Sequence, residues 1–497
     1  MKKCILALLS IVLMSFVLAS DAAAYASSTV EEGGVVIDKS GTTFVNTKNI
    51  ELGAADGCVM FEMNSTVMTA KGKQMEYTLN CAAIAAVNIK NGSVDVASDS
   101  MVTDVTIVND GTITVHTRDL VEKYKDMIQT PANGGPRYKY LRVCAIYGLK
   151  NMTFINNGTI NVYFDHDPNI GCWVYGIAFA PGQGSKIVNN GQIHFYGNGS
   201  PTTRMRGVAT FQDDVQVVNN GNIEADVTMA DDSRGITTGG NKNKVENNGT
   251  ISLKVPGTIC GMTRYGVTEV VNRGKIDLVH RSIPMGYTSV TSTPNNFACA
   301  VYESVLAVQT GQPPVENSGS ITVTMEENEN DDFTRRAYGL MFDLQKTEAN
   351  SFKEYGTEGL GVMCNNTGII KINNGARHKY EMSEAFFQTR PAIDNMLCPI
   401  KVGTWRTTVR DFASCNDLFV ANGVNMDFSS CQLMLDADGS YVSGTSVSVA
   451  PESLMYNVSN KGDAYKFTGY DKMTISVSNP SSSLNWDKKA KKVSIKN

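Results

Sequence analysis

The chain has 497 residues, with 44 lysine and arginine residues against 49 aspartate and glutamate residues and a formal charge of −5. A mildly acidic chain without blocks of basic residues offers no electrostatic surface for nucleic acid or anionic lipid, so we expect neither partner. Charged residues make up only 19% of the chain and glycine is abundant, a composition that favours sheets and tight turns over helices.

The N-terminal residues follow the three-part pattern of a secretory signal peptide. Lys2 and Lys3 form a positive region, residues 5–18 are apolar, and Ala24-Tyr25-Ala26 matches a cleavage site of small residues. The apolar run is shorter than the roughly 20 residues that a membrane-spanning helix needs. We therefore expect residues 1–26 to be cleaved and the mature chain to be exported, with no transmembrane segment after cleavage.

The cysteines allow, but do not require, disulfide bonds. Eleven cysteines are present and Cys4 lies in the predicted signal peptide, which leaves an even number in an exported chain. Export permits about one or two bridges, with Cys415 and Cys431 as the most local pair, although a free cysteine also serves as a small buried hydrophobe. No Cys-x-x-Cys pair exists, which argues against a zinc or thioredoxin-type site.

One motif recurs eight times along the chain and aligns without gaps. A glycine lies at its centre, with an asparagine two residues before it, an isoleucine two residues after it, and apolar residues four positions to either side. The three residue types are, in chain order, Gly111, Gly158, Gly191, Gly221, Gly249, Gly274, Gly319 and Gly368; Asn109, Asn156, Asn189, Asn219, Asn247, Asn272, Asn317 and Asn366; and Ile113, Ile160, Ile193, Ile223, Ile251, Ile276, Ile321 and Ile370. A ninth segment, residues 90–96, keeps half of the pattern.

The motif predicts a turn followed by a strand. Residues two and four after the glycine share one face of a strand. Asn-x-Gly is typical of a turn, because glycine adopts a positive φ without steric cost and asparagine can bond the backbone of its own turn. A hairpin is the ordinary interpretation of Asn-Gly between strands, but recurrence of the same corner at long spacing favours the corner of a coil.

The spacing predicts a β-solenoid. Successive motifs lie 25–49 residues apart, and a segment of small and apolar residues precedes them, as at residues 176–179 and 207–210. The shorter intervals match one solenoid unit, which would contain about three short strands. In stacked coils the isoleucines form a continuous core and the asparagines can form a ladder of side-chain amides.

Four regions are expected along the chain. Residues 1–26 are the signal peptide, residues 27–104 a leader and N-terminal cap with the first coils, residues 105–375 the solenoid repeats, and residues 376–497 a β-rich C-terminal cap or small module. The last region includes a helix-tolerant stretch at residues 381–388 and a terminal hairpin between Leu484 and Ile495.

Acidic clusters are the nearest candidates for catalysis. Glycoside hydrolysis needs two carboxyl groups at a defined separation, and the candidates are Asp213-Asp214, Asp231-Asp232 and Asp165-His166-Asp167. All lie in polar stretches between predicted strands, where solvated acids are the default. We therefore assign no catalytic residue.

The sequence also gives no metal or cofactor site. The five histidines are dispersed, and three that follow repeat glycines are expected at strand surfaces: His116, His194 and His280. Residues 436–439, Asp-Ala-Asp-Gly, resemble the opening of a calcium loop but lack its remaining ligands, so a plain turn is expected. The acidic residues 326–332 are most simply a solvated loop.

The repeats, as in Ile-Asn-Asn-Gly-Thr-Ile-Asn-Val at residues 155–162, resemble those of pectin-lyase-like β-helix passengers of autotransporter and adhesin-like bacterial surface proteins. The resemblance covers residues 105–375. It implies an all-β fold, a right-handed parallel β-helix with a β-rich C-terminal cap or small module. It also implies secretion across the inner membrane and a role in adhesion at the cell surface or outer membrane.

We expect an exported, non-enzymatic, adhesin-like protein that presents loops from a rigid rod. We expect it at the cell surface or secreted rather than in the periplasm, and its partner to be a glycan or protein of a host or neighbouring cell. The alternative is a carbohydrate-active enzyme, either a polysaccharide lyase or a glycoside hydrolase. A face lined with carboxylates and arginine or lysine, or with stacked aromatic rings, would favour carbohydrate binding or cleavage. Because the chain ends at Asn497 without a translocator barrel, we expect a passenger-like, truncated or periplasmic relative.

Overall fold

The structure is a computed structural model in which the described residues begin at the first coil. They are residues 34–52, 59–69, 72–90, 93–94, 101–124, 141–165, 172–179, 183–201, 203–210, 213–240, 242–265, 268–283, 296–305, 314–327, 335–344, 363–374, 381–389, 400–408, 417–422, 426–436, 446–448, 452–453, 467–477, 483–487, 489–490 and 492–496. The predicted signal peptide lies outside them.

The described part of the chain is built from short strands and one helix. The N-terminal elements are β1 (Val35–Ile37), β2 (Thr43–Asn46), β3 (Asn49–Leu52), β4 (Val59–Thr69), β5 (Gly72–Ala86), β6 (Ile89–Lys90), β7 (Ser93–Val94), β8 (Thr106–Asn109), β9 (Thr112–His116) and the helix α1 (Thr117–Tyr124). The central strands are β10 (Leu141–Gly148), β11 (Thr153–Asn156), β12 (Thr159–Phe164), β13 (Cys172–Phe179), β14 (Gln183–Asn189), β15 (Gln192–Gly199), β16 (Arg204–Thr210), β17 (Asp213–Asn219), β18 (Asn222–Met229), β19 (Asp232–Gly239), β20 (Asn243–Asn247), β21 (Thr250–Val255), β22 (Thr258–Tyr265), β23 (Thr268–Asn272), β24 (Lys275–His280), β25 (Asn296–Val305), β26 (Val315–Asn317), β27 (Ser320–Met325), β28 (Arg335–Leu344), β29 (Met363–Asn366) and β30 (Ile369–Asn374). The C-terminal strands are β31 (Glu381–Thr389), β32 (Ile400–Thr408), β33 (Asp417–Asn422), β34 (Met426–Asp427), β35 (Gln432–Asp436), β36 (Ser446–Ser448), β37 (Glu452–Ser453), β38 (Phe467–Thr468), β39 (Thr474–Val477), β40 (Ser483–Asp487) and β41 (Lys492–Lys496).

The strands form three parallel sheets along the axis of the solenoid. The parallel strands of sheet A are β1, β5, β10, β13, β16, β19, β22, β25, β28, β31, β33 and β37; those of sheet B are β2, β8, β11, β14, β17, β20, β23, β26, β29, β32, β34, β35, β38 and β39; and those of sheet C are β3, β9, β12, β15, β18, β21, β24, β27 and β30. β4, β6 and β7 extend sheet A beyond β5 and include antiparallel pairs. From β10 to β30 each coil gives one strand to each sheet and pairs with the next coil in parallel. The fold is a right-handed parallel β-helix, so the predicted fold class is confirmed.

The isoleucine column forms the centre of the core. All eight motif isoleucines lie on sheet C and are at most 1% exposed. They are in register from one coil to the next, as in the pairing of Ile160 with Ile193 and of Ile193 with Ile223. No single coil could bury this face alone, so the apolar contacts between neighbouring coils supply the stability.

The motif asparagines form the predicted ladder, which is buried at the corner between sheets B and C. Each side chain donates from Nδ2 to Oδ1 of the equivalent asparagine in the next coil, and the donor–acceptor distances are 2.6–2.8 Å. The ladder begins at Asn46 and ends where Asn366 donates to the backbone oxygen of Arg406. A continuous chain of this kind satisfies buried amides that would otherwise destabilise the core.

A second ladder runs beside the first on the exposed surface. It consists of the residues that follow five consecutive buried asparagines: Asp110, Asn157, Asn190, Asn220 and Asn248. Here each Nδ2 donates toward the preceding coil, the reverse of the buried ladder, and the Asp110 carboxylate accepts the first bond at 2.8 Å. Because these bonds compete with water, we expect them to contribute much less to stability than the buried ones.

The motif glycines are needed for a different reason from the one that the sequence suggested. None of them has a positive φ. A Cβ at Gly158, Gly191 or Gly221 would instead lie 1.9–2.0 Å from the carbonyl oxygen of the equivalent glycine in the preceding coil. The first coil has Lys48 at this position, and among the described residues no coil precedes it. Close stacking of backbones, rather than turn conformation, therefore selects glycine.

Two N-terminal segments differ from the sequence-based expectation. Residues 43–50, Thr-Phe-Val-Asn-Thr-Lys-Asn-Ile, form a complete corner that supplies the first buried asparagine, Asn46. The half-motif at residues 90–96 is not a coil corner, because β6 and β7 on either side of Asn91-Gly92 pair antiparallel. There the ordinary hairpin interpretation of Asn-Gly applies.

The parallel pairing continues beyond residue 375. The stretch described as helix-tolerant is the strand β31, which pairs in parallel with β28 and β33 and places Ala385 in the continuing core. Sheet C ends at β30, whereas sheets A and B extend to β37 and β39. The terminal hairpin is present as the antiparallel pair β40 and β41. The four regional limits stay a prediction.

The described cysteines are all buried. Cys431 is a free thiol in the structure, and Cys415 lies outside the described residues, so the expected bridge between them stays a prediction. Cys431 is 1% exposed and packs in the apolar core, which is the small-hydrophobe role that a free cysteine can take.

Candidate binding face on sheet A

Sheet A has an outer face on which charged and aromatic residues align from coil to coil. Arg142, Trp173, Arg204 and Asp232 are direct partners in successive strands. Two residues further along, Tyr175, Arg206 and Arg234 form a second column. The residues between these columns, Val143, Val174 and Met205, belong to the apolar core. Since alternate residues of a strand face opposite sides, both columns lie on the side of sheet A opposite to Val174. This side is partly covered, because Tyr175 is 5% and Arg234 9% exposed. We call these residues, with Asp231, the arginine–aromatic face.

Asp232 is held by two arginines. Arg234 donates to it with both Nε and Nη2, at 2.9 and 3.0 Å, and Arg206 donates with Nη2 at 2.6 Å. Arg206 also donates to the backbone oxygen of Asp232 at 3.0 Å. Fork-shaped contacts of this kind fix geometry as well as charge. The neighbouring Asp231 accepts from Arg204 Nε at 3.1 Å.

The arginines keep Asp232 ionised. Burial alone would raise the pKa of this carboxyl group, but the Arg206 and Arg234 guanidinium groups outweigh burial and hold its pKa well below the ordinary range. A carboxylate in this state has no proton to donate and is a weak base at neutral pH. The pair Asp231-Asp232, which the sequence offered as a catalytic candidate, is therefore a pair of salt-bridge acceptors.

Trp173 lies between two guanidinium groups. The Cζ atoms of Arg204 and Arg142 are 4.7 and 5.9 Å from the centre of its ring, and that of Arg142 is also 5.5 Å from the ring of Tyr175. Cation–π contacts of this length stabilise the arginines without consuming their hydrogen-bond donors. Arg204, at 26% side-chain exposure, keeps part of its guanidinium surface open to solvent.

The face is positive although the chain is acidic. Its four arginines, at positions 142, 204, 206 and 234, outnumber its two aspartates, which leaves two positive charges on a chain of formal charge −5. Guanidinium groups bind carboxylate or sulfate groups through paired donors. The arrangement is thus suited to binding an anionic ligand.

The other acidic candidates are not brought together with this face. Asp213 begins β17 on sheet B, and Asp214 is exposed with a positive φ of 56°. Asp165 follows β12 of sheet C and accepts from the backbone nitrogen of Arg118 at 3.0 Å. His166 and Asp167 lie outside the described residues. The three clusters thus belong to three different sheets.

The histidines take two kinds of position. His116 and His194 are half-buried on the outer face of sheet C, as expected. His280 is fully buried, contrary to the prediction, because it lies on the same face of β24 as Ile276 and Leu278 and contacts Arg335. Burial lowers the pKa of His280 to about 3, and the positive charge of Arg335 adds to the shift. His378 lies outside the described residues.

Aromatic rings also stack on sheet C. His116 and Tyr163 lie 5.1 Å apart, and Tyr163 and Tyr196 lie 5.6 Å apart, in successive coils. Rings stacked along the axis cover one another's faces, which leaves mainly their edges to solvent. A sugar packs on a ring face, so this column fits a structural role better than a binding one.

The calcium-like segment at residues 436–439 and the acidic segment at residues 326–332 form ion pairs where the structure describes them. Asp436 forms an ion pair with Arg406, and the remaining residues of the calcium-like segment, 437–439, lie outside the described residues. Glu326 lies 3.6 Å from the Lys254 ammonium group. Within the described ranges, no group of three or more histidine, cysteine, aspartate or glutamate side chains could hold a metal ion.

Sequence reasoning missed the arginine–aromatic face. The sequence does contain a signal for it. Each sheet A strand has a small residue, such as Gly176 or Gly207, and the residues three and one positions before it lie on the face. The resulting pairs are Arg142-x-Cys144, Trp173-x-Tyr175, Arg204-x-Arg206 and Asp232-x-Arg234. Because these residues differ from coil to coil, no repeated residue type marks the column.

Comparison with protein families supports the resemblance seen in the repeats. Residues 18–219 match the family model described as BigA third pectate lyase-like domain. The chain resembles a pectate-lyase-like β-helix passenger of a surface protein. The pectate lyase-like match ends at Asn219, the last residue of β17, and the same coil geometry continues beyond it. Comparison with curated proteins and with solved structures gave no significant match. No helix that the structure describes has the length and apolarity to cross a bilayer.

Proposed function

We propose that the chain is an exported, non-enzymatic, adhesin-like β-solenoid that binds an acidic glycan through the arginine–aromatic face. The pectate lyase-like fold and the signal-peptide pattern of residues 1–26 support export and an adhesin-like role. The single observation that carries the proposed ligand class is the alignment of Arg142, Arg204, Arg206 and Arg234 in two adjacent columns of sheet A.

The geometry favours binding over catalysis. Asp231 and Asp232 are each engaged by arginine, so neither is available as the proton donor that glycoside hydrolysis requires. The ion pairs fix the guanidinium groups on a rigid sheet before a ligand arrives. Pre-ordered groups lose little conformational entropy on binding, which raises affinity.

Binding to purified mature protein tests the ligand class. We expect oligogalacturonate or heparin oligosaccharides to bind, neutral dextran not to bind, and affinity to fall as salt rises. The double variant Arg142→Gln/Arg204→Gln should lose on the order of 100-fold or more in affinity, because each charged hydrogen bond contributes about 1.5–3 kcal/mol. Arg273→Gln, which changes an exposed arginine in the corner between β23 and β24, is the matched control and should bind as wild type does.

Two outcomes would overturn this proposal. Equal binding of dextran and the acidic oligosaccharides, or unchanged affinity in the double variant, would contradict the proposed ligand and face. Release of unsaturated oligosaccharides, detected by ultraviolet absorbance, would instead establish the lyase alternative.

Protease treatment of intact native host cells tests the location. We expect the protein to be digested by added protease while a cytoplasmic marker stays intact. Protection of the protein until the outer envelope is opened would contradict exposure at the cell surface.

A further inference from the structure

Two buried cysteines face each other on neighbouring coils. Cys260 of β22 and Cys299 of β25 are direct partners in the parallel pairing of these strands. Both are 0% exposed and both are free thiols in the structure. They occupy the same column of sheet A as Tyr175, Arg206 and Arg234, further along the solenoid axis.

The spacing of strands brings this pair within reach of a covalent bond. Partners in register point to the same side, and adjacent strands lie about 4.8 Å apart. Disulfides join residues whose Cα atoms are roughly 4.4–6.8 Å apart. The two cysteines belong to a separate apolar cluster with Phe297, Tyr302, Tyr338 and Met341, so a neutral disulfide would be compatible with their surroundings.

We propose that Cys260 and Cys299 form a disulfide that joins two consecutive coils when the chain folds in an oxidising compartment. This inference rests on the export that the proposed function includes. A thiolate of one cysteine attacks the disulfide of an exported thiol–disulfide oxidoreductase and forms a mixed disulfide, which the second cysteine resolves. The two thiols lose two protons and two electrons, a sulfur–sulfur bond forms between them, and the disulfide of the oxidoreductase is reduced to a dithiol.

The bond forms before the apolar cluster is complete. Burial raises the pKa of Cys260 to about 11 and that of Cys299 well above its ordinary value. Thiols in this state are poor nucleophiles once the coils have closed around them. The proposal therefore predicts that a chain folded under reducing conditions stays reduced at these positions when an oxidant is added later.

Peptide mapping tests the pairing. The chain is directed to an oxidising compartment by an unrelated signal sequence, denatured with an alkylating reagent and no reductant, and digested with trypsin. Cleavage after Lys254, Arg264, Arg281 and Arg335 gives peptides 255–264 and 282–335, each with one cysteine. We expect these two peptides to be joined until a reductant is added. Alkylation of both cysteines in most molecules, or a bond from either one to a different cysteine, would overturn the proposal.

A stability measurement on the folded chain gives a second test. A reductant should lower the thermal midpoint of wild type by a few degrees, because a disulfide constrains the unfolded chain. The same reductant should not shift the midpoint of Cys299→Ser. Cys144→Ser is the matched control, because Cys144 is buried in the same column but has Tyr175 as its partner, and this variant should respond as wild type does. An equal response of wild type and Cys299→Ser would contradict the bond.

The mapping also separates this inference from the proposed function. Since an unrelated signal sequence supplies export, failure of the native N-terminus to direct export would leave the peptide result valid. Failure of glycan binding would likewise leave it unchanged.

Discussion

Replacing Gly221 by alanine tests the claim that backbone stacking selects the motif glycines. The new Cβ would lie 2.0 Å from the carbonyl oxygen of Gly191 in the preceding coil, whereas carbon–oxygen contacts are normally about 3.3–3.6 Å. The two coils would therefore have to separate by roughly 1 Å or more at this corner. That movement would disrupt the three backbone hydrogen bonds of this corner, which are 2.7–2.9 Å long, and the adjoining Asn189–Asn219 side-chain bond of 2.7 Å.

At about 1 kcal/mol for each bond, the expected loss of unfolding free energy is about 3–4 kcal/mol. Urea unfolding of the mature chain, followed by circular dichroism, measures it. Gly41→Ala is the control: its Cβ would meet no atom within 4 Å, and its φ of 73° predicts a cost of only about 1 kcal/mol. Gly111→Ala should have an intermediate effect, because the terminal coil that it contacts through Lys48 can yield.

A loss in Gly221→Ala no greater than in Gly41→Ala would refute the reasoning. If Gly221→Ala does not fold, the comparison of Gly111→Ala with Gly41→Ala decides the question in the same way.

Three further predictions concern buried polar groups. In urea unfolding, Asn219→Ala should lose about 3–5 kcal/mol of unfolding free energy, because it leaves two buried ladder partners unsatisfied. Asn220→Ala, on the exposed ladder, should lose less than about 1 kcal/mol. Equal losses would contradict the difference between the two ladders. Asp232→Asn should lose about 3–5 kcal/mol of unfolding free energy, because it leaves two arginines uncompensated. Since the pKa of Asp232 is held low in the folded chain, the difference from wild type should persist as pH falls and narrow only below the unfolded pKa of about 4. A difference that disappears near neutral pH would contradict this prediction. The pKa of His280 is lowered to about 3 in the folded chain, so the unfolded chain binds the proton first as pH falls. Wild type should therefore lose about 2 kcal/mol of unfolding free energy between about pH 7 and pH 5, and His280→Gln should lack this loss. The same pH dependence in both proteins would refute the assignment.

The fold could be predicted because its repeat is encoded by identical residues. The isoleucine and asparagine columns are each formed by one residue type, so alignment of the motif places them in register without knowledge of the coil geometry. The reason for glycine could not be derived in this way. Both a positive φ and a close backbone approach select glycine, and only the stacked coordinates show that a Cβ at Gly158 would meet Gly111.

The binding face could not be predicted because neither of its columns is formed by a single residue type. Arg142, Trp173, Arg204 and Asp232 are far apart in sequence, and only the register of sheet A makes them neighbours. The acidic pair at residues 231–232 was noticed as a catalytic candidate, but its arginine partners decide its chemistry. The burial of His280, in contrast, follows from strand alternation, because it lies four residues after Ile276 and two after Leu278 on the same strand.

The central functional claim is that the arginine–aromatic face holds cells to an acidic glycan without cleaving it. Adhesion of intact native host cells to a surface coated with oligogalacturonate tests it most directly, in strains that produce wild type, Arg142→Gln/Arg204→Gln or the control Arg273→Gln at equal surface level. We predict that wild-type and control cells adhere, that the double variant does not, and that the coating remains intact. Equal adhesion of all three strains, or degradation of the coating by wild-type cells, would contradict the account.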